Sequence, residues 1–264
     1  MTKKTISLAL ASAALVALAL PATAQDKTGR NINPAAAAAP AGGARTINLA
    51  HDLYRVGVSQ TDALTVLAAA SLAASVATEE KSPAPLALTA EEVATLAADR
   101  KPPPGMARAL SGDATVSLAS SGAGLTDDNE GAANAPVTVD AMFAKASELA
   151  ADDPAILGLI NAALADAAAG RIGTVNWLSH LSADQTDVWE VPFLGNAHAE
   201  LTVLGDGDTN LDIAITDENG NLICRDVGWS DALHCDFTPA WDGYFYVTVQ
   251  NMGPVQNSYY LLTN

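Results

Sequence analysis

From about Arg171 to the C-terminus, apolar residues recur at every second position in eight short segments: TVNWLS, TDVWEVPF, AELTVLG, LDIAITD, NLICRD, LHCDFT, YFYVTVQ and SYYLLT. A period of two places alternate side chains on opposite faces of a strand. Short, evenly spaced strands of this kind fold as an antiparallel β-sandwich or barrel. The connections carry turn chemistry, notably Asp217-Glu218-Asn219-Gly220 and Trp241-Asp242-Gly243. Aromatic residues respect the same border. Only Tyr54 and Phe143 precede it, whereas Trp177, Trp189, Trp229 and Trp241 all follow. Residues 171–264 are therefore expected to form one β-sandwich domain.

The first half has helical periodicity, so the fold class is α+β in two parts. ARTINLAHDLYRVG puts Ile47, Leu49, Ala50, Leu53 and Tyr54 on one face. The next helix has Thr61 or Asp62 as N-cap and an apolar stripe of Leu64, Val66, Leu67, Ala70 and Leu72. A third is expected in LTAEEVATLAADR, where Thr89 and Glu92 form a capping box. These make a helical region over 45–100. The stretch 101–137 opens with KPPPG and continues in Gly, Ser, Ala and acids without a pattern, which reads as a disordered loop. A second helical hairpin is expected over 138–170, with Asp153 as cap, Pro154 in the first helical position and Gly170 as stop. The two hairpins read either as degenerate copies of a tetratricopeptide-like unit or as chance likeness between alanine-rich helices. In both cases their stripes should pack together.

Residues 1–24 have Lys3 and Lys4, an apolar run from Ile6 to Leu20, and Ala22-Thr23-Ala24. That is the pattern of a secretory signal peptide cut before Gln25, with a periplasmic or extracellular destination. No later stretch is long and apolar enough to span a bilayer, so the processed chain is not expected to be integral to a membrane. Residues 25–44, rich in Pro, Ala and Gly, read as a flexible leader. The formal charge of −17 argues against nucleic acid as a partner. The two cysteines, Cys224 and Cys235, suit a disulfide between neighbouring strands of a hairpin in an oxidising compartment.

The stretch GDGDTNLDIAITDENGNLICRD contains two kinds of information. Leu211, Ile213 and Ile215 alternate with Asp212, Ala214 and Thr216, so one strand face is apolar. DENGN then reverses the chain, with Gly220 suited to a positive φ and Leu222 and Cys224 returning on one side. Asp206, Asp208, Asn210 and Asp212 also place oxygens at alternating positions. They are candidate calcium ligands, with Asp217 as a further one. An EF-hand loop is excluded, because it would need Gly at position 211 and Glu at 217, where Leu and Asp stand. A structural turn and a calcium site both remain open.

Leu211-Asp212-Ile213, Asp217 through Asn221, Thr238 to Val249, and Tyr260 to Leu262, taken together, resemble the bacterial pre-peptidase C-terminal domain. The resemblance covers roughly Gln185 to Asn264. It implies an exported β-sandwich of the kind found beside secreted peptidases, and related sandwiches bind calcium.

No catalytic residue emerges. His51, His180, His198 and His234 lie outside any HExxH pattern, and His198-Ala199-Glu200 lacks the PCxxC partner of a deaminase. There is no G-x-S-x-G elbow and no phosphate-binding glycine motif. Trp229 and Trp241 are candidates for stacking on a sugar or peptide, although buried sandwich tryptophan is the commoner role. The expectation is an exported, non-catalytic binding or accessory protein that attaches to a protein, glycan or envelope surface, with calcium as the one candidate cofactor. The alternatives are a secreted hydrolase with an unrecognised site and a structural envelope protein.

Overall fold

The computed structural model describes residues 27–80, 84–85, 117–120, 136–151, 153–167 and 172–264. The expected signal peptide, the LTAEEVATLAADR helix, the stop at Gly170 and most of the 101–137 stretch lie outside these residues. Four helices are present among them: α1 (Gly43–Gln60), α2 (Ala63–Ala74), α3 (Val139–Ala150) and α4 (Pro154–Asp166). Their ends follow local chemistry. Thr61 closes α1 in the left-handed region at φ 57, and its N–H bonds Gly57 O and Val58 O. Asp62 accepts from the Leu64 amide at the start of α2, and Thr138 accepts from Ala141 at the start of α3. Asp153 accepts from Ala155 and Ile156 ahead of α4.

The two hairpins bury one shared apolar cluster, including Ala50, Val66, Leu67, Ala70, Met142, Phe143, Ala146 and Ile160. Two residues of the expected stripes do not join it, Leu49 and Leu64, which are both exposed. The reason is tertiary. Helix α1 also faces the sandwich through Ala44 and Ile47, which rotates Leu49 outward.

All eight expected strands form: β4 (Ile172–Leu181), β5 (Thr186–Phe193), β6 (Ala199–Gly205), β7 (Leu211–Asp217), β8 (Leu222–Asp226), β9 (Ala232–Phe237), β10 (Gly243–Asn251) and β11 (Asn257–Thr263). They divide into two packed antiparallel sheets, β4-β11-β6-β9 and β5-β10-β7-β8. Three short strands from the first half extend them. β1 (Val76–Glu80) pairs in parallel with β4, from Val76 opposite Ile172 to Glu80 opposite Asn176. β3 (Ser117–Ser120) pairs antiparallel with β5 and carries β2 (Ala84–Pro85) on its other side. Strand thus occurs within stretches expected as helix and as disordered loop. Edge strands can be recruited by backbone pairing alone, which leaves little mark in side-chain periodicity.

Helix α1 lies on the outer face of the first sheet, where Ala44, Ile47, Val76, Leu204 and Leu262 form a second cluster. The molecule therefore has a helical layer, a sheet and a second sheet. Between the sheets, Leu211, Ile213 and Ile215 meet Trp177, Leu201, Val203, Phe245, Val247 and Leu261. Phe193, Phe237 and Phe245 form a triad with ring centroids 5.0–5.6 Å apart. A polar network enters this interior. The Asp187 carboxylate accepts from Ser179 Oγ at 2.8 Å and Tyr259 Oη at 2.7 Å, while Trp189 Nε1 donates to Tyr259 Oη at 2.8 Å. Burial and the adjacent Asp187 charge hold the Tyr259 hydroxyl well above its ordinary pKa, so it stays a donor.

Three sequence expectations need correction here. A register shift between Ile215 and Thr216 interrupts the β7–β8 ladder. That bulge puts Ile223 in the core and leaves Leu222 exposed, so Leu222 and Cys224 do not share a buried side. The Cys224–Cys235 disulfide forms, with Cα atoms 6.1 Å apart. However, β8 and β9 are edge strands of different sheets, so the bond ties the sheets together and does not brace a hairpin within one. Finally, the described part of the 25–44 leader is bound to the sandwich. Asn31 is fully buried, its amide donates to Asp217 Oδ2 at 2.8 Å, and its side-chain oxygen accepts from the Ala240 and Trp241 amides.

Candidate functional site

The strand order brings the β6–β7, β8–β9 and β10–β11 loops to one end of the sandwich, and the Asn31 strap closes the other end. Loop ends of this sort are the usual place for function on a sandwich, because the sheets hold them rigidly. The three loops are bonded to one another. Met252 N donates to Asn210 O at 2.9 Å, and Asn257 Nδ2 donates to Thr209 O at 2.8 Å. Asp231, almost fully buried, is the pivot. Its backbone oxygen accepts from Gly205 N and its Oδ2 from Gly207 N at 2.6 Å, while Arg55 of α1 reaches its Oδ1 at 3.1 Å.

Trp229 stands at the tip of the β8–β9 loop and is 100% exposed. It lies inside the segment closed by the disulfide, two residues before Asp231. Asp226, on the other side of the loop, accepts from His234 N at 3.0 Å. Both roots of the loop are thus fixed while the indole projects into solvent. Val227, Met252 and Val255 are exposed on the same loops. Trp241 has the opposite fate. It is buried at the strap end, and its Nε1 donates to Glu218 Oε1 at 2.6 Å, so its ring presents no surface for stacking.

The candidate metal ligands separate as well. Asp206 spends its Oδ2 on Ser258 N at 2.7 Å and its Oδ1 on Asp208 N at 3.1 Å. Its carboxyl pKa is raised, first by burial and then by the Asp208 and Asp231 charges, against the pull of those two amides. Asp208 is exposed. The Oδ1 atoms of Asn210 and Asp212 are shut off from solvent and have no hydrogen-bond partner. Asp217 sits at the other end of the sandwich. It is saturated by the amides of Asn31, Asn219 and Asn221 and by Asn221 Nδ2. Among the described residues, no three His, Cys, Asp or Glu side chains gather closely enough to hold a metal. Among the five candidates, Asp206 and Asp217 spend their oxygens on backbone amides, Asp208 is exposed, and Asn210 Oδ1 and Asp212 Oδ1 are buried without a partner.

The histidines are dispersed. His180 Nδ1 bonds Ser258 Oγ at 2.8 Å, His198 Nε2 lies 3.4 Å from Asp236, and His234 Nδ1 bonds Thr202 Oγ1 at 2.8 Å. Burial, then Arg45, lowers the His234 pKa. Among the described residues, no helix is long and apolar enough to cross a membrane.

No protein-family model and no curated protein matches this chain. Solved structures give partial, low-scoring similarities. One is the pre-peptidase C-terminal domain of a collagenase from Bacillus anthracis, at 13% identity and TM-score 0.23, covering 34% of this chain and 76% of that one. Another is a family two carbohydrate esterase from Clostridium thermocellum, at 11% identity and TM-score 0.23, covering 32% of this chain and 26% of that one. The C-terminal CBM6 of LamC, a laminarinase from Zobellia galactanivorans, matches at 7% identity and TM-score 0.22, covering 33% of this chain and 87% of that one. The architecture here is a β-sandwich; similarities this slight assign no family and no function.

Sequence reasoning missed Asp231, which positions the loop, and the apolar neighbours Met252 and Val255. A signal for Trp229 was available: Val-Gly-Trp-Ser-Asp between the two cysteines breaks the alternation, so that tryptophan belongs to a loop and not to a strand.

Proposed function

We propose that this is an exported, non-catalytic binding or accessory protein whose C-terminal sandwich attaches to a glycan surface through the Trp229 loop end. The observation that carries the reading is Trp229 itself, fully exposed on a loop that the disulfide and Asp231 hold in place. A large apolar side chain left in water forgoes about 1.5–3 kcal/mol of burial. A rigid, projecting indole recovers that free energy by stacking on the apolar face of a sugar ring, at little cost in conformational entropy. The exposed carboxylate of Asp208 on the neighbouring loop suits hydroxyl recognition. The motif likeness to pre-peptidase C-terminal modules supports an accessory role, and the disulfide supports an oxidising, exported location. Calcium assistance belongs to the same reading, with Asn210 Oδ1 and Asp212 Oδ1 as the protein oxygens it would take.

Co-sedimentation with insoluble polysaccharides, in calcium and in chelator, tests this. Wild-type protein should partition to a glycan, and Trp229→Ala should lose about tenfold or more in affinity with an unchanged melting temperature. Retention of Trp229→Ala at wild-type level, or no partition to any glycan tested, would overturn the reading. Retention that ignores chelator would remove calcium from it.

A further inference from the structure

A cavity of about 150 Å³ lies between the helical layer and the outer face of the first sheet. Its wall is mostly apolar: Ile47 from α1, Val76 from β1, Val139 from α3, and Leu204 and Leu262 from the sheet. Five polar side chains join it: Asn176 from β4, His51 from α1, Thr78 from β1, Thr138 at the start of α3 and Tyr260 from β11. Asn176 Oδ1 is sealed from bulk solvent and has no hydrogen-bond partner. An orphaned buried acceptor is costly unless something donates to it, which is why such atoms mark waters or ligands. Burial holds the His51 ring at a pKa of about 4, with the nearby Arg55 charge acting in the same direction. The imidazole is therefore neutral at pH 7 and offers one N–H and one lone pair. Among the described residues, no Asp, Glu, Lys or Arg lines the cavity.

We propose that this cavity is a binding site for a small neutral molecule, with an apolar body about the size of one six-membered ring and one hydroxyl or N–H that donates to Asn176 Oδ1. The volume carries the size, since a cavity of about 150 Å³ has room for a benzene-sized ring. The uncharged wall carries the neutrality, because an ion would lose its hydration without gaining a counter-charge. The single orphaned acceptor carries the donor. Its wall includes no residue of the Trp229 loop, so binding here is tested separately from glycan attachment.

Phenol and toluene are suitable probes, being near-isosteric and differing in the one donor. They are titrated into the full chain and followed by calorimetry and by the His51 ring protons in NMR. Phenol should bind saturably, shift the His51 signals and bind about tenfold tighter than toluene, the worth of one hydrogen bond to a buried acceptor. Asn176→Leu should remove that preference. Val139→Phe, which fills the cavity from the start of α3, should weaken both probes, and it keeps the test available if Asn176→Leu does not fold. The proposal is overturned if neither probe saturates at millimolar concentration. It is equally overturned if phenol and toluene bind alike in wild type, or if Val139→Phe folds and leaves phenol binding unchanged.

Discussion

Single residues of one type take opposite roles in this protein according to what surrounds them. Trp229 and Trp241 both sit in connections between strands, yet one is fully exposed and the other buried against Glu218. The histidines diverge in the same way, and His51 has a measurable consequence. Its pKa falls from 6.5 to about 4 in the folded protein, so between those values the unfolded chain binds the proton and the folded one does not. Stability from this group is complete above pH 6.5 and is lost as the pH falls toward 4. The loss amounts to about 2 kcal/mol once partial exposure is discounted. Asp206, whose pKa is raised, acts in the opposite sense, so the comparison must isolate His51. Denaturant unfolding of wild type and His51→Gln at pH 7 and pH 4 should show the variant losing less stability across the interval. Equal losses would contradict the assignment.

At the scale of elements, the caps and strands were legible because their causes are local. Asp62 and Asp153 each bond amides two or three residues ahead, so the capping residue and its partner share one short window; Thr138 does the same for α3, although it was not among the expected caps. Alternation in β7 likewise predicts its own buried face, whatever strand pairs beside it. The partners of β8 and β9 were not legible, since an eleven-residue separation is compatible with a hairpin in one sheet or a bridge between two. The bridge matters for stability. Closing a loop this short restricts the unfolded chain by about 3 kcal/mol in the entropy model. Cys224→Ser/Cys235→Ser should lower the unfolding free energy by about that amount with little change in far-UV circular dichroism. It should also weaken glycan retention, because the Trp229 loop loses one of its fixed roots. A double variant as stable as wild type would show that the packed edges hold the sheets without the bond.

The whole molecule is joined by contacts that span most of the sequence. Helix α1 begins at Gly42 without a side-chain cap of its own. The buried Glu200 carboxylate, from β6, replaces it: Oε1 accepts from Gly42 N at 2.6 Å and Oε2 from Arg45 N at 3.2 Å. A carboxylate at a helix N-terminus also meets the positive end of the helix dipole. Glu200, flagged in the sequence only as part of an incomplete deaminase pattern, is a docking residue between the two halves. Glu200→Ala should destabilise the protein by about 2 kcal/mol, through lost capping and two unpaired amides. Its effect should be largest on hydrogen-exchange protection in α1, which is the readout that distinguishes docking from general sandwich packing. Uniform loss of protection across both sheets would refute this role.

The sequence by itself determined the four described helices, the eight strands and the caps at Asp62 and Asp153, because each depends on periodicity or on hydrogen bonds within a few residues. Tertiary structure alone decided that β1 joins β4, that the disulfide bridges two sheets, that Asn31 straps the far end and that Glu200 caps α1. The reason is physical. Those interactions join groups distant along the chain, and their energy exists only once packing has excluded water from both partners. The same condition produces the His51–Asn176 cavity and leaves Trp229 in solvent, so both candidate sites became visible only in the folded chain.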